Sequence, residues 1–327
     1  MTDARYAALQ AFIEQCLGAD VQGPEPASSD ASFRRYWRVH DAGGSHIIMD
    51  APPDKENCGP FIDVSARLVQ AGLRAPAVLA QDLEHGFLLL DDLGTRTLLQ
   101  DLRPETVDRY YDSGMRSLLK MQTSVDGSGL PSYDELRLTA EMELMPQWYL
   151  QAHLGLQLTC GDWDTLEQAF GLLLRSARSQ PQVFVHRDYH SRNLMLGVSD
   201  DSELGILDFQ DAVIGPITYD LVSLLKDCYV RWPTSRVDDW AERYRQMLAE
   251  QGVVVPERST WLRAFDLMGL QRHLKVLGIF ARLHHRDGKS GYLADLPRVH
   301  DYCLQVCDRY AELAALGERL RRWAPPQ

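Results

Sequence analysis

Residues 186–193 place His186, Arg187, Asp188, His190, Arg192 and Asn193 between two short apolar runs, 183–185 and 194–196. A solvated turn needs only a couple of polar residues, so this crowding points to chemistry. Fifteen residues beyond Asn193, Asp208 closes another short apolar run in LGILDFQDA. Carboxylates and an amide oxygen at adjacent strand ends suit a hard divalent cation such as magnesium, which takes oxygen ligands and keeps several waters. Phosphoryl transfer uses this set: an Asp and an Asn oxygen for the metal, and a separate Asp for the attacking hydroxyl.

The elements that must position these residues show in the periodicities. Residues 4–17 read as a helix stopped by Gly18, and GPEPASSD breaks that pattern. FRRYWRV and HIIMDA, joined by the turn DAGG, predict a hairpin over 27–51. A helix through Phe61, Val64 and Leu68 ends at Gly72, and PAVLAQ and FLLLDD make two more strands. Helical patterns follow at 104–124, 139–154 and 164–178, and nearly everything after Ile217 is helical. A strand-rich N-terminal part over 1–91 and a helical part over 92–327 describe an α+β chain in two pieces.

Composition narrows the partners. The chain has 327 residues, 45% of them hydrophobic and 24% charged, as in a globular protein with a sizeable core. A formal net charge of −12 argues against a nucleic-acid partner, because nothing offsets phosphate repulsion. No apolar run reaches the roughly 18 residues of a membrane span, and the first residues lack a signal-peptide layout. Six cysteines, at 16, 58, 160, 228, 303 and 307, lie without CxxC pairs and read as reduced thiols. The expectation is a cytoplasmic protein without membrane association.

The run HRDYHSRN followed by DFQ resembles the kinase signature H-R-D-x-x-x-x-N then D-F-G. With GPITYDLVSLL (215–225), it is similar to the aminoglycoside/choline kinase-like phosphotransferase family, over about residues 25–310. Three further stretches resemble that family's bacterial anomeric kinases of N-acetylmuramate and N-acetylglucosamine: PASSDASFRRYWR, MDAPPDKENCGPF and LKVLGIFARLHHRDGKSGYLADLPRV.

The resemblance implies a bilobed protein-kinase-like fold, with a small strand-rich N-lobe and a large helical C-lobe. It implies ATP and Mg2+, a small sugar as acceptor, and a place in cell-wall recycling. Asp188 would be the base toward the acceptor hydroxyl, and Asn193 and Asp208 the metal ligands. His186 and Asp220 would support the loop. Ser28, Ser29, Asp30, Ala31, Ser32, Phe33 and Arg34 would lie over the ATP phosphates, and Asp91, Asp92 and Leu93 would meet adenine.

Other acceptors served by the same fold are choline, ethanolamine, homoserine or an aminoglycoside, and a catalytically inactive nucleotide-binding scaffold is the alternative of another class. One departure bears on the nucleotide: the family's strand lysine would fall near Met49, and HIIMDAPP holds none. Lys55 follows a turn-forming PPD, so Arg34, Arg35 or Arg38 could carry that charge. Strand alternation would put Arg34 and Arg38 on one face and Arg35 on the other. On the acceptor side Gln210 and Asp211 are candidates for sugar hydroxyls. Residues 271–286 are rich in Arg, Lys and His. They read either as a solvated basic face or as a carboxylate site in which Arg282 meets an acidic sugar.

Overall fold

The computed structural model describes residues 3–29, 33–197 and 203–325. In chain order the elements begin with α1 (Asp3–Leu17), β1 (Gln22–Ser29), β2 (Arg35–Asp41), β3 (Gly44–Asp50), α2 (Gly59–Gln70), β4 (Val78–Asp82) and β5 (Phe87–Asp91). Then come α3 (Leu98–Asp101), α4 (Val107–Ser124), α5 (Glu135–Met142), a π-helical segment (Met145–His153), α6 (Cys160–Arg178), β6 (Gln182–Val185), β7 (Leu194–Met195), β8 (Gly205–Ile206) and β9 (Val213–Pro216). The chain continues through α7 (Tyr219–Leu225), α8 (Thr234–Glu250), α9 (Arg258–Asp287), α10 (Leu296–Arg309) and α11 (Ala314–Arg322). Among the described residues no helix is long and apolar enough to cross a membrane.

The chain divides into two compact units. The first comprises Met1–Arg103, Ser124–Asp126 and Arg192–Ala212; the second comprises Pro104–Thr123, Gly127–Ser191 and Val213–Gln327.

An antiparallel five-stranded sheet of order β1-β2-β3-β5-β4 organises the first unit. Period-two alternation sorts its side chains. Val39, Ile48, Phe87 and Leu89 turn to one face and bury against Leu9, Phe12 and Ile13 of α1. Tyr36, Arg38, Ile47 and Leu90 turn to the other, which lines a cavity. The hairpin expected over 27–51 is β2–β3, with Asp41 paired to Gly44. β1 was not visible in the sequence, because Pro24 and Pro26 argue against a strand. It sits at the sheet's edge, where a missing N–H is tolerated.

The second unit is built on α9, whose residues 265–278 are all buried. The π-helical segment, α6 and α10 surround it, and Met145, Tyr149, Leu173, Leu274, Leu277 and Cys303 share one core. Gly278 permits the closest approach: a Cβ there would lie 2.4 Å from the carbonyl carbon of Leu144. The two-stranded β6–β9 ladder, Gln182↔Pro216 to Val185↔Val213, delivers the chain to the polar loop at His186.

Candidate active site

The loop after β6 is fixed by buried carboxylates of the second unit. Asp220, fully buried in the first turn of α7, accepts the backbone N–H groups of His186 at 2.7 Å and Arg187 at 3.0 Å. Burial pushes its carboxyl up to about 7, against the two N–H donors. Asp227, just past the end of α7, accepts the Ser191 backbone N–H at 2.9 Å and hydroxyl at 2.5 Å. Together they hold the loop at both ends. Asp220 was legible through its motif. Asp227 was missed, and its signal was a second carboxylate seven residues on, in YDLVSLLKD.

Within the loop, Arg187 adopts φ 78°, a left-handed conformation that a side chain rarely accepts. Its guanidinium donates to Glu141 at 2.5 Å. Glu141 also takes Lys275 of α9 at 3.0 Å and the hydroxyl of Tyr133, so one buried carboxylate gathers two cations. Lys275 in turn donates to the Tyr219 hydroxyl at 3.1 Å. Burial works to raise the Asp188 carboxyl, yet the charges of Lys275, His190, Arg272 and Arg187 hold it below the usual carboxylate range. Asp188 is therefore kept ionised in a cationic setting. Burial favours a neutral Lys275, but Tyr219 and Glu141 raise it and keep it charged.

α9 corrects one reading of the basic run. Gln271, Arg272, His273 and Lys275 are all buried, so this part is no solvated face. Burial pushes the His273 imidazole down to about 3, so it is neutral, and its Nε2 bonds the Lys226 carbonyl. Arg282 is half-buried and its guanidinium is depressed by burial, while His285 and Arg286 are exposed.

In the first unit, Leu194↔Ile206 and Met195↔Gly205 pair β7 with β8 and bring Asn193 beside Asp208. The Asn193 amide donates to Asp208 at 3.2 Å, and the Leu207 N–H bonds the Asn193 carbonyl at 2.9 Å. Asp208 has φ 64°, so a second left-handed, non-glycine residue falls on the motif. Gln210, read as a sugar contact, donates to Asp208 at 2.8 Å, and Asp211 is exposed.

Asn193 and Asp208 line a cavity of about 360 Å³ with Tyr36, Arg38, Ile47, Phe61, Leu90, Asp91, Asp92, Leu93 and Arg192. Arg38 grips Asp92 with two bonds, at 2.5 and 3.0 Å, and also donates to the Gly94 carbonyl. Arg74 donates to the Leu93 carbonyl at 3.1 Å. Met49 lies on the same sheet face, opposite Tyr36 in register, and is fully buried.

The other candidates lie elsewhere in this unit. Arg35 pairs at 2.7 Å with Asp50, which Arg5 also binds. Arg34 precedes β2 and pairs with Glu56 at 3.1 Å, and Glu56 also accepts the Phe33 N–H. The Phe33 side chain is exposed. Ser28 and Ser29 end β1, pairing with Tyr36 and Arg35, and Asp30, Ala31 and Ser32 lie outside the described residues.

A cavity with an apolar floor, a strapped connecting segment and an Asn–Asp oxygen pair suits a nucleotide and its metal. The profile of the phosphotransferase enzyme family matches residues 24–258. The chain belongs to that family. The phosphotransferase is 50% identical to the N-acetylmuramate/N-acetylglucosamine kinase of Pseudomonas putida, over 89% of this chain and 86% of that protein. It is 47% identical to the enzyme of the same name from Pseudomonas aeruginosa, over 97% and 96%. Among solved structures, a GDP complex of an aminoglycoside 2'-phosphotransferase superposes with TM-score 0.64 at 16% identity, over 94% of this chain and 99% of that one. The expected α+β fold of that family, strand-rich first and helical after, is the fold found.

Proposed function

We propose that this phosphotransferase moves the γ-phosphoryl group of ATP to the anomeric hydroxyl of N-acetylmuramate and N-acetylglucosamine, in the cytoplasm, as a step in recycling cell-wall sugars. Two relatives at 47% and 50% identity carry the kinase name for both sugars. One structural observation supports that acceptor class. The surroundings of Asp188 are cationic, with Arg187, Arg272 and Lys275 of the same unit acting on it. Acceptors such as choline or an aminoglycoside are cations and want carboxylates or aromatic cages.

In this reading Asp188, ionised, takes the proton of the attacking hydroxyl as its oxygen bonds to the γ-phosphorus and the bond from that phosphorus to the β–γ bridging oxygen breaks. Asp220 and Asp227 hold the loop that presents it. Asn193 and Asp208 fit a magnesium ion, a hard cation that needs only one or two protein oxygens beside phosphate and water. Bound there, it would neutralise phosphate charge. Residues 91–93 would meet adenine through the segment that Arg38 and Arg74 strap. Residues 28–34 would lie over the phosphates, and Gln210, Asp211 and Arg282 are the candidates for sugar contacts.

Incubating the protein with ATP, Mg2+ and each acceptor tests this. A product of N-acetylmuramate or N-acetylglucosamine that fails a reducing-sugar assay, and regains its reducing end in mild acid, supports anomeric transfer. A product that stays reducing would overturn the position, and turnover only with choline or an aminoglycoside would overturn the acceptor.

A further inference from the structure

ATP brings a chain of phosphate charge, and a divalent ion neutralises only part of it. Kinases of this type meet the rest with a strand lysine beside the phosphates. On this face of the sheet β3 presents Ile47, which lines the cavity, and Met49, both apolar. The missing charge must come from elsewhere.

Among the described residues lining the cavity the cations are Arg38 and Arg192. Arg38 stands at the connecting segment: its two bonds to Asp92 and its bond to the Gly94 carbonyl hold that segment. Burial tends to raise Asp92, but the bond from Arg38 and the Gly94 N–H keep it low and ionised. Arg34 and Arg35, the other arginines of the first hairpin region, face Glu56 and Asp50 and do not line the cavity. Arg192 does line it, next in sequence to Asn193, which bonds Asp208, and it is exposed.

We propose that Arg192 is the residue that binds the nucleotide's phosphate chain in place of the strand lysine. This rests on the reading of the cavity as an ATP site. The residue type suits the task, since a guanidinium stays charged at any working pH and offers a planar fork of donors to two phosphate oxygens. The place also suits it: the side of the cavity that carries the metal ligands is the side on which phosphates lie, whereas Arg38 stands at the connecting segment.

Calorimetry on the full-length protein separates these roles, with adenosine and Mg-ATP as paired probes. Arg192→Gln should weaken Mg-ATP about ten- to a hundred-fold, the worth of one or two charge-assisted bonds, and leave adenosine unchanged. Arg192→Lys should recover part of the loss. Arg38→Gln should weaken both probes, because it loosens the segment that receives the base. Mg-ATP affinity within about threefold of wild type in Arg192→Gln, or an equal loss for adenosine, would overturn the assignment. A wild-type protein that binds neither probe would overturn the ATP reading of the cavity, and the Arg192 proposal with it.

Discussion

Glu141→Gln tests the buried network behind the polar loop. The native carboxylate, with 13% of its side-chain surface exposed, receives Arg187 at 2.5 Å, Lys275 at 3.0 Å and the Tyr133 hydroxyl. Burial works against its charge, but Lys275 and Arg187 outweigh it and keep the group below the usual glutamate range. Glutamine preserves the shape and removes the charge, so the half-buried Arg187 and the buried Lys275 lose their shared partner and the amide turns a donor toward other donors. Removing one member of a buried ion pair costs about 3–5 kcal/mol. For a unit of this size about 2–4 °C accompanies each kcal/mol, so thermal unfolding should fall by roughly 6–20 °C. Differential scanning calorimetry on the wild type, both single variants and the pair Glu141→Gln/Lys275→Met closes a double-mutant cycle. The second substitution deletes one stranded cation, so the double variant should melt above the sum of the two losses. A drop of less than about 2 °C, or strict additivity, would refute a shared carboxylate.

Other outcomes follow from the same geometry. Asp188→Asn should lower kcat by roughly 10²–10⁴, the usual worth of a general base, while Mg-ATP affinity stays within a few-fold; retention of a tenth of the activity would remove Asp188 from that role. Asp208→Asn should abolish the magnesium dependence of nucleotide binding seen by calorimetry, and unchanged Mg-ATP binding would show that the metal sits elsewhere. Asp220 binds its proton more tightly folded than unfolded, with a folded value of about 7 against 3.8. That contribution to stability is full below 3.8 and lost as pH rises through about 7, so Asp220→Asn should gain on wild type across this window. A stability difference flat from pH 4 to 8 would contradict this.

What could be read from the sequence was what is local. Asp188, Asn193 and Asp208 stood out because their spacing is fixed by one loop and one hairpin, and Asp220 because it begins a helix in a recognisable segment. Glu141 and Asp227 did not, because the groups they bind lie 46 and 36 residues away. The burial of Arg272 and Lys275 was hidden for another reason: α9 is enclosed on several sides, so its polar residues carry no one-sided pattern. The hairpin arginines show the limit of alternation. It placed Arg35 on the face opposite Arg38 correctly, but Arg34 lies before β2, where period two no longer applies, and Glu56 decides its direction.

Asp220 in the first turn of the seven-residue α7 and Asp227 just past its end together hold the bend from His186 to Ser191. In inheritance, then, the bend and the helix are one module although they lie apart in sequence. A chimera that takes residues 186–191 from a relative but keeps its own 219–227 works only if both carboxylates arrive at the same N–H groups. Where they do not, the grafted bend would leave a buried acid beside unpaired N–H groups, each costing about 1–3 kcal/mol. Exchange between relatives should therefore succeed with both segments together and fail with either alone.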